Sequence, residues 1–208
     1  MDTDRPLLLA TEADETLLLA KSLDAELSPL PACEAPETFE TWRSEFASQA
    51  ARGAIVVAPW ENGRTRGELM GLDESGWRRR FELPYLLWNF ALGAAARRCA
   101  DGGAIVAIVQ APAALEAPGW TPELSIADGL LSLIRSIAAS EGTRGVRANL
   151  VTTPIGLTEV DLVAPPPPLA GFPGQIDKHV AGAVRMLLCP DAHGLTGRVL
   201  PADGGRSL

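Results

Sequence analysis

The sequence predicts an α/β protein of three layers, a doubly wound, mostly parallel sheet with helices on both faces. Three observations carry this. Short apolar runs rich in β-branched residues alternate with longer helical patterns along the chain, the pattern of strand–helix–strand units. The runs 102–110 and 145–151 are apolar at most positions, as strands buried on both faces must be. Between them, residues 124–140 spread Leu130, Leu131, Leu133, Ile134 and Ile137 around much of a helix, so that helix buries more than one face. With 208 residues the chain suffices for one domain with a sizeable core, and residues 1–208 are read as that single domain.

The elements follow in order. Residues 6–11 read as a first strand and 16–27 as a helix. In the turn between them Thr11 stands three residues before Asp14, the spacing of a capping box, and acids in a first helical turn satisfy the macrodipole by themselves. A short strand around 30–34 precedes a helix over 36–51 that carries Phe39, Trp42 and Phe46, and a strand over 54–58 comes next. The helix 83–99 is strongly apolar, with small residues at Ala91 and from Gly93 to Ala96 that permit close packing. After the strand 102–110, a loop marked by Pro112, Pro118 and Gly119 leads into the helix 124–140, then the strand 145–151. Residues 163–174 hold four consecutive prolines, Pro165 to Pro168, which favours a stiff extended segment, a surface arm or partner contact. The chain closes on a strand and turn within 195–205.

Composition excludes several classes. A net charge of −8 and a pI near 4.8 argue against nucleic acid or an anionic membrane surface as partner. The run Arg78-Arg79-Arg80 reads as a solvated helix face or as salt-bridge donors. There is no signal peptide pattern and no apolar run long enough to span a bilayer. Cys33, Cys99 and Cys189 lack metal-type spacing and read as the reduced thiols of a cytoplasmic protein. His179 and His193 are the only histidines and lie apart, so no metal site is expected.

Four stretches carry a specific resemblance: Gly102 to Val109; Arg135-Ser136-Ile137-Ala138 with Glu141; Gly145-Val146-Arg147-Ala148-Asn149-Leu150-Val151; and Thr196-Gly197 with Asp203-Gly204-Gly205. In them the chain resembles the short-chain dehydrogenase/reductase family, well over 54–208 and poorly over 1–53. Upstream, Gly76 to Leu83 resembles the start of that family's dimer-forming helix. The resemblance implies a Rossmann-like fold, a nicotinamide cofactor held on a glycine turn, and a catalytic Asn, Ser, Tyr and Lys. Those four positions fall on Pro84, Gln110, Glu123 and Ala127. In the family the tyrosine exchanges a proton with the substrate oxygen, the lysine lowers its pKa and holds the ribose, and the serine polarises the carbonyl. Ala127 can do neither of the lysine's tasks, and the chain's one tyrosine, Tyr85, lies on another element. The family's Asn-Asn-Ala-Gly after the central strand becomes Val57-Ala58-Pro59-Trp60.

The cofactor half departs in the same way. Where the family's glycines admit a pyrophosphate to backbone N–H groups, this chain has Thr11, Glu12, Ala13, Asp14 and Glu15. A pyrophosphate beside these carboxylates would cost about 1 to 4 kcal/mol per close pair, so no cofactor is expected. The chain is also about forty residues shorter than the family's usual size. The shortfall lies in 1–53, which implies a sheet truncated at its adenosine-binding edge.

The expectation for function is a catalytically inactive subunit that pairs with and supports an active short-chain dehydrogenase/reductase, one acting on hydroxyacyl or oxoacyl thioesters. Its surfaces would be the helices 83–99 and 124–140 and the C-terminal strand, in a homo- or hetero-oligomer. Two other readings stay open. One is a free-standing enzyme of altered, non-redox chemistry using Glu123, Asp128 or Glu116; the other is a homomeric small-molecule binding protein using the old substrate cleft. Glu123 itself reads either as a displaced general acid, since burial raises a carboxyl pKa, or as a helix-start acid on the macrodipole. Asp128 reads as reaching a partner's arginine or as lining a vestigial cleft.

Overall fold

Alternating apolar runs and helices resolve into one parallel sheet in the computed structural model of the chain, which describes residues 5–32, 36–60, 66–67, 71–112, 118–157, 169–170 and 174–206. The strands are β1 (Leu7–Ala10), β2 (Glu26–Pro29), β3 (Arg52–Ala58), β4 (Cys99–Gln110), β5 (Arg147–Thr153) and β6 (Val199–Pro201), in spatial order β2-β1-β3-β4-β5-β6, every pair parallel. Six strands are present among the described residues, with β2 at the edge where the truncation was expected. The helices are α1 (Asp14–Leu23), α2 (Pro36–Ala47), the short α3 (Glu74–Trp77), α4 (Leu83–Arg98), α5 (Thr121–Glu141) and α6 (Ala181–Leu188). Among the described residues, no helix is long and apolar enough to cross a membrane.

The twofold period of the strands sorts the core into two layers. Leu7 and Leu9 with Ile55, Val57, Ile105 and Ala107 pack under α2, α4 and α5. The intervening residues Leu8, Ala10, Val56, Val106 and Ile108 pack under α1 and α6. Parallel strands need this double cover, because each crossover helix lies on a face of the sheet.

Three boundaries differ from the sequence reading. The second strand begins at Glu26, not near residue 30, because α1 ends four residues early. Asp24 adopts a left-handed conformation, φ 48°, and its N–H returns to Ala20 and Lys21. Arg5 fixes that turn through Nη2 to Asp24 Oδ1 at 2.8 Å. The apolar spacing of Leu23 and Leu27 therefore spans a reversal rather than one more helical turn. Helix α2 likewise stops at Ala47 rather than 51. The small residues of α4 are also spent differently: Ala91, Ala94 and Ala95 are fully buried in this chain's own core, which leaves Gly93 as the small position open to the outside, with no atom within 4 Å of where a Cβ would stand.

The residues that carried the family resemblance are structural ties. Asn149 donates to Leu195 O at 2.8 Å and accepts from Arg198 N at 3.1 Å, and Thr196 Oγ1 accepts from Ala148 N. Together they stitch β5 to the turn before β6. Arg147 donates to the carbonyls of Leu187, Leu188 and Cys189, satisfying the orphan acceptors at the end of α6. Asp203 closes the last turn by accepting from Gly205 N at 2.9 Å.

Cys99, fully buried where α4 gives way to β4, has its thiol pushed up to about 11, chiefly by burial. A pKa raised in the folded state contributes stability that is complete below the unfolded value and is lost as pH rises through the folded one. Urea midpoints should therefore fall between pH 9.0 and about 11 more steeply in the wild type than in Cys99→Ala. Equal slopes would show that folding does not raise the pKa of this thiol.

Candidate functional site

In an open parallel sheet a ligand crevice forms outside the carboxyl ends of the strands, where the winding direction reverses. Here the chain leaves β1 outward to β2, then crosses to β3 and continues to β6, so the reversal lies between β1 and β3. The turn after β1 carries Thr11 to Glu15. The expected capping box at Thr11 and Asp14 is not formed. The N-cap is Ala13, whose N–H is accepted by Thr16 Oγ1 at 3.0 Å, while the Thr11 hydroxyl donates to the carbonyl of Trp60. Thr11 is thereby spent on the loop after β3. Asp14 and Glu15 occupy the first helical turn.

Trp60 follows β3 by two residues. Its N–H turns back onto Ala58 O at 2.7 Å, and its indole Nε1 donates to Ile108 O of β4 at 2.7 Å. The residue is 4 % exposed and belongs to the core cluster that holds Leu8, Ala10, Ala58 and Ile108. With Pro59, Trp88, Val109, Gln110, Glu123 and Ile126 it lines a cavity of about 10 Å³, the volume of one water. Of the four positions that the resemblance marked, Gln110 and Glu123 meet at this cavity; Pro84 and Ala127 do not line it.

Each of the four has a physical account. Pro84 lies inside a continuous helical run. Its ring removes an N–H and clashes with the carbonyl four residues earlier, and the turn Arg78–Glu82 widens to a π-turn in which Leu83 N–H reaches Arg78 O. Arg80 lies in that turn. Its Nε donates to Glu123 Oε1 at 2.9 Å, and its Nη2 to Glu123 Oε2 at 3.2 Å and Gly119 O at 3.0 Å. The Glu123 side chain is wholly buried and that of Arg80 is 18 % exposed, a two-pronged charge-assisted pair. Glu123 does sit in the first turn of α5, as the helix-start reading held, and its carboxylate also pairs with a side chain 43 positions away. Gln110 ends β4 and donates to Ile155 O at 3.2 Å. Ala127 is core.

Sequence reasoning singled out the arginine run and Glu123 separately and missed their pairing; Pro84 was the available signal, since a proline there distorts the helix beneath Arg80. Arg78 and Arg79 are exposed, so both readings of the run hold, at different residues. Sequence reasoning marked Trp60 only as the last residue of the segment replacing the family's Asn-Asn-Ala-Gly, and did not single out Trp88 or Trp120. Trp120 is fully buried, 5.8 Å from the Arg80 guanidinium, and its Nε1 has no hydrogen-bond partner among the described residues. Asp128 is exposed on α5 and lines no part of the cavity. Tyr85 stacks on Phe81 and presses against Gly129, where a Cβ would stand 2.8 Å from its hydroxyl; it serves the α4–α5 contact. Glu116, Cys33, residues 163–168 and residues 171–173 lie outside the described residues. Among the described residues no His, Cys, Asp and Glu group could hold a metal.

A dinucleotide does not fit these residues. The turn that should approach its phosphates has three carboxylates and no glycine, the loops flanking the crevice are tied by Thr11 and Trp60, and the space for a reacting ring is closed to one water's volume.

No protein-family model and no curated protein matches the sequence. Solved structures do match. A short-chain dehydrogenase/reductase from Serratia marcescens is 18 % identical with a TM-score of 0.73, covering 99 % of this chain and 98 % of that one. A blue fluorescent protein from a metagenomic library, solved in complex with NADPH, is 16 % identical with a TM-score of 0.71 and covers 100 % of both chains. The ligand-free aldohexose dehydrogenase of Thermoplasma acidophilum is 18 % identical with a TM-score of 0.68, covering 99 % and 95 %. The chain has the fold of the short-chain dehydrogenases/reductases.

Two outcomes follow from the site. Calorimetric titration with NAD(H) or NADP(H) should show no binding tighter than about 1 mM; a micromolar constant would contradict the misfit. Arg80→Ala should cost about 3 to 5 kcal/mol by removing the guanidinium that engages both oxygens of a buried carboxylate, whereas the apolar double replacement Arg80→Met with Glu123→Leu should recover most of that loss, as measured by urea unfolding.

Proposed function

We propose that the chain is a degenerate, non-catalytic member of the short-chain dehydrogenase/reductase family that pairs with and supports an active member, one acting on hydroxyacyl or oxoacyl thioesters. The Arg80–Glu123 pair carries this reading. It engages both oxygens of the side chain that stands where the family's tyrosine would be, and the cavity beside it admits no substrate. The same two facts disfavour a free-standing enzyme working through Glu123 and a binding protein using the old cleft.

Support for association comes from what lies outside. Helix α4 leaves Tyr85, Leu86 and Gly93 partly open, and α5 leaves Leu131 and Leu133. Leu169, Met186 and Leu195, more than a third exposed, lie on and around α6 and β6, where Leu169, Met186, Leu200 and Pro201 line a groove of about 470 Å³. Contiguous apolar surface of this kind marks contact sites, and an obligate interface would bury on the order of 2,000 Å² or more.

Light scattering should find the wild type larger than a monomer, alone or with a full-length dehydrogenase that carries the glycine turn and Tyr-x-x-x-Lys. Because Gly93 faces open space in the single chain, Gly93→Trp should break the assembly while leaving the urea midpoint of the chain itself within about 0.5 kcal/mol. Ala95 is buried, so Ala95→Trp would unfold the chain and is no test. A wild-type monomer that ignores its candidate partner would remove the support for this function.

A further inference from the structure

We infer that Trp60 is a built-in occupant of the ligand crevice, an indole that does within the chain what a bound aromatic group does in a sheet of this kind. The inference stands apart from the subunit reading, since a chain without any partner would carry the same plug.

Ile108 is the residue of β4 just past the last β3–β4 pair, Val57 with Ala107. Its carbonyl would face the crevice without a strand partner on the β3 side, and the Trp60 indole N–H supplies the donor at 2.7 Å. The ring therefore meets a polar requirement and an apolar one at once, an arrangement suited to an aromatic with a single N–H. It belongs to the same core cluster as Leu8 and Ala10 of β1, Ala58 of β3, and Val106 and Ile108 of β4, a cluster that draws on both sides of the winding reversal. Three further contacts fix the chain that presents it: the turn of Trp60 N–H onto Ala58 O, the Thr11 hydroxyl on the Trp60 carbonyl, and the Thr16 hydroxyl on Thr11 O at 2.6 Å.

The consequence is energetic. A ligand that binds only the folded state stabilises it in proportion to its own concentration. A covalently attached ring delivers the same packing at any concentration, so the stability of this fold does not depend on a nucleotide supply.

Removing the ring should leave a cavity of matching shape with an unpaired acceptor at its wall. Trp60→Gly should lower the Tm by about 10 °C. Added indole should restore a large part of that loss while leaving the wild-type Tm unchanged. 1-Methylindole, which lacks the N–H, should restore less. In the wild type the Trp60 indole N–H, assigned in nitrogen-15 spectra by its loss in Trp60→Phe, should exchange with solvent deuterium as slowly as the core amides of β4. A Trp60→Gly variant as stable as the wild type, a folded variant that indole does not stabilise, or an indole N–H that exchanges within the dead time would each overturn the inference. The exchange measurement needs no folded glycine variant, so it decides the matter even if that variant cannot be purified.

Discussion

Everything in this molecule depends on the requirement that a parallel sheet be covered on both faces. Its crossovers put helices above and below, and residues such as Leu7, Leu8, Leu9, Ile55, Val56 and Val57 all lie at 1 % exposure or less. A strand with no free face cannot exchange apolar for polar residues without burying an unpaired group. The ties between elements are bound by the same logic, because the end of α6 needs Arg147 and the turn before β6 needs Asn149 and Thr196. The segments that resemble a known family are therefore those that the backbone itself requires, and they carry no catalytic information.

The carboxyl edge of the sheet is under a weaker constraint, namely that it be filled. Interiors tolerate few voids, so the space beside the strand ends must be filled by something. In this chain bulk does it, through Trp60, Trp88 and Trp120, together with one buried ion pair. That pair is weak evidence of stability, since desolvation offsets much of its Coulomb energy. Its contribution is geometric: a two-pronged guanidinium fixes the first turn of α5 against the widened turn beneath Pro84. One proline thus connects backbone strain relief, side-chain pairing and the closure of a cleft.

What could be read in advance follows this division. The parallel sheet and its crossovers were legible because β-branched runs and helical periods are local signals. The displaced β2 was not, since Asp24 reverses the chain in a left-handed conformation that the sequence does not announce. The identities at Gln110, Glu123 and Ala127 were legible as substitutions. Their partners were not: Glu123 meets Arg80 across 43 positions and Trp60 meets Ile108 across 48, and contacts of that separation leave no periodic trace. Thr11 illustrates the converse, a residue with the right spacing for a cap whose hydroxyl is drawn away by a tertiary acceptor.

The edges of the sheet bear on the proposed association. Among the described residues β2 is an edge strand of the sheet, and an exposed edge invites strand addition. Both edges here are short and both end on proline, β2 at Pro29 beside Ala10 and β6 at Pro201 beside Thr152. Proline offers no N–H to an incoming strand and confines a ladder to its first few residues. Four residues of β2 and three of β6 are too few to hold a partner by backbone bonds alone. The proposed association would then run through side chains on helical faces, which is where the open apolar residues of α4, α5 and α6 lie, and where a single substitution on a helix surface would act on assembly without acting on the fold.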